Sequence, residues 1–138
     1  MLNSEPAFQE HTYSSITSEV EIQVRPFYMP ERSDPKAGVF FYGYQVTITN
    51  HGSSPLVLQD RHWIIRDGNG RQDHVKGKGV IGQNPTIEAG KTYQYSSFCP
   101  LSTPTGNMRG TYSLKNEQGQ MIMVKIPLFF FRRPETFH

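Results

Sequence analysis

Apolar residues in this 138-residue chain recur at every second position, and no window repeats them at the 3.6-residue spacing of a helix. Val20, Ile22 and Val24 alternate with Glu19, Glu21 and Gln23, the pattern of a strand with one buried and one wet face. Pro26 and Pro30 are expected to end that strand. The longest strand expected is Val39–Asn50, with Tyr42, Tyr44, Val46 and Ile48 on one face. Leu56–Asp67, Arg71–Val75, Thr92–Cys99, Met108–Lys115 and Gln120–Phe131 complete a set of seven. Turn formers separate them: Glu31–Gly38, Asn50-His51-Gly52, Asp67-Gly68-Asn69-Gly70, Lys76–Pro85, Ile87–Lys91, Pro100–Asn107 and Asn116–Gly119. The pattern predicts an all-β fold, an antiparallel β-sandwich of immunoglobulin or fibronectin type III character.

Composition agrees. The chain holds 12 glycines and 10 prolines with 12% aromatic residues, a mixture of turn formers and strand formers. A chain this long buries about two-thirds of its extended surface, enough for one core without metal or disulfide. Residues 1–17 lack periodicity and read as a flexible N-terminal arm, with the sandwich domain over 18–138. No apolar run reaches the roughly 18 residues of a membrane span, and the first residues lack the apolar stretch of a secretory signal. The single cysteine, Cys99, fits a reducing cytoplasm, where we expect the protein to work. A net charge of +2 is too mild to announce a nucleic-acid binder.

Leu56–Asp67 carries an irregularity. Leu56, Leu58 and Ile64 share one phase while Val57, Trp63 and Ile65 share the other. A bulge near Asp60 resets the phase in one reading, and a strand buried on both faces is the other. Trp63 is expected at the centre of the sandwich.

Several ordered motifs then coincide. RHWIIRDGNG at Arg61–Gly70, VKGKGVIGQNPTIEAGKTYQYSS at Val75–Ser97, TPTGNMRGTY at Thr103–Tyr112 and IPLFFF at Ile126–Phe131 resemble the ApaG family of small bacterial proteins. SDP at Ser33–Pro35 and YQVTITN at Tyr44–Asn50 fit as well, so the similarity runs from about Glu21 to His138. Cys99 and the LFFFRRP tail depart from the pattern, and residues 1–17 are not covered. The resemblance implies a fibronectin-type-III-like sandwich, a link to cobalt resistance and magnesium efflux, and proximity to dinucleoside tetraphosphate hydrolysis. It also implies a protein-interaction role, since a similar domain accompanies F-box or polymerase-interacting segments in eukaryotes. It brings no settled catalytic activity.

Gly77-Lys78-Gly79-Val80-Ile81-Gly82 matches G-x-G-x-x-G, the pyrophosphate turn of dinucleotide-binding folds. The context does not follow. Pro85 prevents a helix from starting after the last glycine, and after Glu88 the next acid is Glu117. Two readings stay open. Backbone amides of the loop form an anion nest with Lys76, Gly77, Lys78, Gly79, Gly82 and Arg71, taking phosphate, pyrophosphate or a nucleotide. Alternatively, the glycines let the chain cross between sheet edges.

Other chemistry is thin. Five histidines (His11, His51, His62, His74, His138) offer no H-x-H or H-x₃-H pair, so no metal site and no cofactor is expected. A two-residue turn at Gly68-Asn69 would pair His62 with Val75 and send His74 to the other face. Cys99 has no histidine within ten residues, no G-x-S-x-G elbow exists, and Asp60-Arg61-His62 alternates faces unless bulged. No catalytic residue is assigned, and the chain is expected not to be an enzyme. Ile126–Phe131 is either the last core strand or an exposed edge for a partner or a second copy. The loop Ser102-Thr103-Pro104-Thr105-Gly106 is a second candidate surface. The leading expectation is a non-enzymatic interaction module with an unidentified protein partner; the alternative is phosphate or nucleotide sensing through Gly77–Gly82.

Overall fold

The computed structural model describes residues 8, 9 and 11–133. Nine strands follow in order: β1 (Tyr13–Thr17), β2 (Val20–Tyr28), β3 (Phe40–Asn50), β4 (Leu56–Asp67), β5 (Gln72–Lys78), β6 (Thr86–Ile87), β7 (Thr92–Leu101), β8 (Gly106–Lys115) and β9 (Met121–Phe131). One sheet has the order β1-β2-β3-β7 and the other β5-β4-β8-β9, with short β6 pairing β4; all pairings are antiparallel. The inner faces of both sheets share one core. It is the sandwich that the alternating residues predict.

Tyr42, Tyr44, Val46 and Ile48 all face that core, as expected. Trp63 is 2% exposed and meets Tyr44 edge-on at 5.3 Å and Phe129 at 5.9 Å. Aromatic pairs of this geometry add about 0.5–1.5 kcal/mol each beyond area burial. The bulge is present: the β4–β8 register slips between Leu58 and Asp60, which puts Arg61, Trp63 and Ile65 inward and Asp60, His62, Ile64 and Arg66 outward.

Four features differ from the sequence reading. Tyr13–Thr17, within the expected arm, pairs with Val20–Val24 as β1. β2 runs on through Pro26, because the Pro26 carbonyl accepts from Gln9 on the side away from β3, so the missing N–H leaves the β2–β3 ladder intact. β5 continues to Lys78, which draws Gly77 into a strand. The β4–β5 hairpin also has three residues in its loop. Asp67 N–H donates to the Arg71 carbonyl, Asp67 Oδ1 accepts from the N–H of Asn69 and Arg71, and Gly70 sits at φ 87°. One extra loop residue shifts the register by one, so His62 opposes Lys76 and Ile64 opposes His74. The expectation that the two histidines lie on opposite faces is thereby corrected: they share a face, His62 Nε2 2.9 Å from His74 Nδ1.

Ile126–Phe131 is a core strand with Ile126, Phe129 and Phe131 fully buried. Its outer edge is met by the N-terminal segment. Ser15 Oγ donates to the Lys125 carbonyl, Gln9 Nε2 donates to the Phe130 carbonyl, and Arg132 N–H donates to Gln9 Oε1. β5 and β7 are the strands at the other ends of the two sheets.

Candidate functional site

The glycine motif spans the end of β5 and a tight turn. Val80 and Gln83 exchange both backbone hydrogen bonds around Ile81 and Gly82, whose φ values are 48° and 72°. Positive φ at both central positions makes this a type I′ hairpin turn. Each glycine has a local reason. A Cβ on Gly77 would lie 2.8 Å from the Arg61 guanidinium, and one on Gly79 would lie 1.9 Å from the Gln83 carbonyl oxygen. Gly82 takes its left-handed conformation with open space around it. Ile81 is the exception, since a β-branched residue there costs about 1–2 kcal/mol relative to glycine.

The motif's backbone is largely committed within the fold. Gly79 N–H donates to the Gln59 carbonyl and Val80 N–H to that of Gln83, while the carbonyls of Lys78 and Gly79 accept from Arg61 at 3.1 and 2.8 Å. Arg71 stands at the far end of β5, roughly 17 Å from Lys76 by strand rise. Of the residues proposed for an anion nest, Gly77, Gly79 and Gly82 cluster, Lys76 and Lys78 point to the opposite face of the strand, and Arg71 stands apart.

That opposite face is where charge gathers. Alternation along β5, β4, β8 and β9 turns Lys76, Lys78, Arg66, Arg109, Lys115 and Lys125 outward, with His62 and His74 among them. Register places Lys76, His62, Thr111 and Lys125 in one row across the four strands. Asp60 is the one acid on these outward positions, and it reaches only Lys78, at 3.9 Å. Between the rows a shallow groove of about 360 Å³ is walled by Asp60, Lys76, Lys78, His62, Thr111 and Met123, among others. Partial desolvation, then the Lys76 ammonium and the His74 ring, hold the His62 imidazole below its usual pKa. The net charge of +2 concealed this asymmetry. No linear motif announces it, because the cations come from strands spread over residues 66 to 125.

The remaining candidates serve the fold. Thr103 Oγ1 accepts from the Gly68 N–H and donates to the Thr105 carbonyl, and Tyr42 donates to the Pro104 carbonyl, so the 102–106 loop is tied to the β4–β5 turn. Burial pushes the Cys99 thiol up to about 12. His51 pairs with Glu21 of β2 at 2.8 Å, on the other sheet from the His62–His74 pair, and His138 lies outside the described residues. Among the described residues no three His, Cys, Asp or Glu side chains gather as a metal site would need.

Residues 30–116 match the ApaG domain. The chain belongs to the ApaG family. It is 44% identical over 124 residues to the protein ApaG of Mesorhizobium japonicum, covering 90% of this chain and 95% of that one. Protein ApaG of Sinorhizobium fredii is 43% identical over 122 residues, with coverage of 88% and 94%. The crystal structure of the putative ApaA protein from Bordetella pertussis superposes with a TM-score of 0.82 at 45% identity, covering 85% of this chain and 95% of that one. At 9% identity, the C-terminal domain of wzt shares the fold alone, with a TM-score of 0.52. The ApaG match of 30–116 takes in Arg61, the glycine turn, and the outward cations of β4, β5 and β8, while Lys125 on β9 lies beyond it.

Proposed function

We propose that this ApaG-family protein is a non-enzymatic β-sandwich module of the cytoplasm that binds an acidic protein partner on the outer face of its five-stranded sheet. One observation carries the reading: six Lys and Arg side chains share that face with a single carboxylate. Such a field steers acidic partners and disfavours basic ones. Met121 and Met123, 49% and 56% exposed on β9, add apolar contact area to the same face. Of the Phe, Tyr and Trp side chains on β4, β5, β8 and β9 only Phe130, on edge strand β9, points outward, which argues against the base-stacking platform of a single-strand nucleic-acid binder. The family's link to cobalt and magnesium then reflects the partner's work. The outward pair Lys76 and Lys78 also favours the second reading, phosphate or nucleotide sensing.

Affinity capture with the full chain tests both. The unaltered protein is expected to retain a stoichiometric acidic partner at low salt and to lose most of it by about 0.3 M salt, as the Debye length shrinks. Lys76→Glu combined with Arg109→Glu should abolish capture, with a melting temperature within a few degrees of the parent because Lys76 is exposed, Arg109 is half-buried and neither belongs to the core. Equal capture by the double variant sinks the assignment to this face. Pyrophosphate shifts at the amides of Lys76–Gly82, without partner capture, would move the conclusion to the second reading.

A further inference from the structure

Arg61 points the other way from the cationic face. Its side chain lies in a cleft of about 260 Å³ between the two sheets, walled by β7 on one side and the glycine turn on the other. The guanidinium is fixed rather than loose. One terminal nitrogen donates to the Lys78 and Gly79 carbonyls, and the side chain lies so close over Gly77 that any Cβ there would collide with it. Among the described residues no carboxylate lies within 4 Å of it, and its other nitrogens make no hydrogen bond. A half-buried arginine held by neutral carbonyls keeps its charge uncompensated and part of its planar fork unused.

The walls suggest what completes it. Ser97 is the inward residue of β7 opposite Tyr44, and its small side chain leaves the recess open. Tyr44 and Trp63 form an aromatic floor. At the mouth stands Ile81, 60% exposed in a left-handed conformation that glycine adopts without strain, while Phe98 turns to the other face of β7 and packs on Phe41. Strain held at an exposed position is a feature of ligand clamps.

We propose that this cleft binds a small oxyanion, a carboxylate or phosphate monoester bearing one flat apolar group, with Arg61 forked onto the oxygens and the apolar group between Ile81 and the Tyr44–Trp63 floor. Guanidinium and oxyanion match in geometry, and charge-assisted pairs of this kind are about twice as strong as neutral hydrogen bonds. Pockets for drug-sized ligands measure roughly 300–1,000 Å³. A cleft of 260 Å³ lies below that range and suits a smaller ligand. The site is separate from the outer face and does not depend on the partner proposed for it.

The test uses isotope-labelled full-length protein with three probes at millimolar concentration: benzoate, phenyl phosphate and neutral benzyl alcohol. Benzoate or phenyl phosphate should shift the amides of Ser96, Ser97, Phe98 and Ile81 and the Nε–H of Arg61, and whichever binds more tightly identifies the oxyanion. Arg61→Met, which keeps the stem, should weaken binding roughly tenfold or more. Ser97→Val, which fills the recess and leaves the arginine, should do the same and serves if Arg61→Met does not fold. The proposal is overturned if neither anion moves these signals, if benzyl alcohol moves them equally, or if binding survives in both variants.

Discussion

Gly110→Ala is expected to remove a large share of the protein's stability. Gly110 lies on β8 opposite Trp63, and a Cβ there would sit 2.0 Å from the His62 carbonyl oxygen and 3.2 Å from the Trp63 Cα. Every atom it meets belongs to backbone, so no side-chain rotation relieves the clash. β4 and β8 are the two central strands of their sheet, and moving them apart breaks their ladder and the packing around Trp63 together. A loss of about 4 kcal/mol or more is expected, against a total of 5–15 for a typical domain. Gly82→Ala is the contrasting control: its φ of 72° strains an alanine, but nothing lies within 4 Å, so about 1–2 kcal/mol suffices. Chemical denaturation of the two variants side by side checks the contrast, and equal losses would contradict it.

The second large effect is alkaline. Tyr42, Tyr44, Tyr95 and Tyr112 are buried, and desolvation is the largest cause of a raised pKa in each; for Tyr44 the value reaches about 12. The unfolded phenol titrates near 10, so the folded state holds these protons more tightly than the unfolded chain. Stability is therefore intact below pH 10 and falls as pH rises through 10 towards the folded values, by about 1.4 kcal/mol per tyrosine for each pH unit. Cooperative unfolding between about pH 11 and 12 is expected, followed by circular dichroism together with phenolate absorbance. The Tyr95 and Tyr112 hydroxyls bond each other in the core, which sharpens the test. Changing either one to Phe strands the other hydroxyl, at about 1–3 kcal/mol, whereas changing both is close to neutral and shifts the alkaline midpoint upward. Additive single losses in the double variant would refute the coupling.

How far the sequence carries depends on the range of the interactions. β3 was legible because Tyr42, Tyr44, Val46 and Ile48 keep one phase and all face the core. The bulge before Asp60 was legible because a phase change must appear in the residues themselves. The β4–β5 turn was not, since Asp67-Gly68-Asn69-Gly70 suits a loop of two residues or three. Hydrogen bonds to the Asp67 carboxylate and the left-handed Gly70 decide it, and they decide the placement of His74 with it. β1 was missed because its five residues alternate between half-buried and exposed, with Ile16 66% exposed. The glycine motif drew attention to the right loop for a different reason. Its first glycine makes room for Arg61, a residue sixteen positions earlier whose role depends on which strand lies beside it.

The tie between the N-terminal segment and β9 bears on how the molecule is made. Ser15 and Lys125 are 110 residues apart, and Gln9 and Phe130 are 121 apart. Phe129 and Phe131, which pack on Tyr44 in the centre of the core, belong to the last strand of the described residues to leave the ribosome. Until they emerge, Tyr44 and Trp63 lack the Phe129 ring that packs on both, and β8 has an open side. The nascent chain therefore carries its aromatic core exposed through most of synthesis and depends on protection from aggregation until residue 131 is free. Closure then joins distant segments, the slow class of folding reaction.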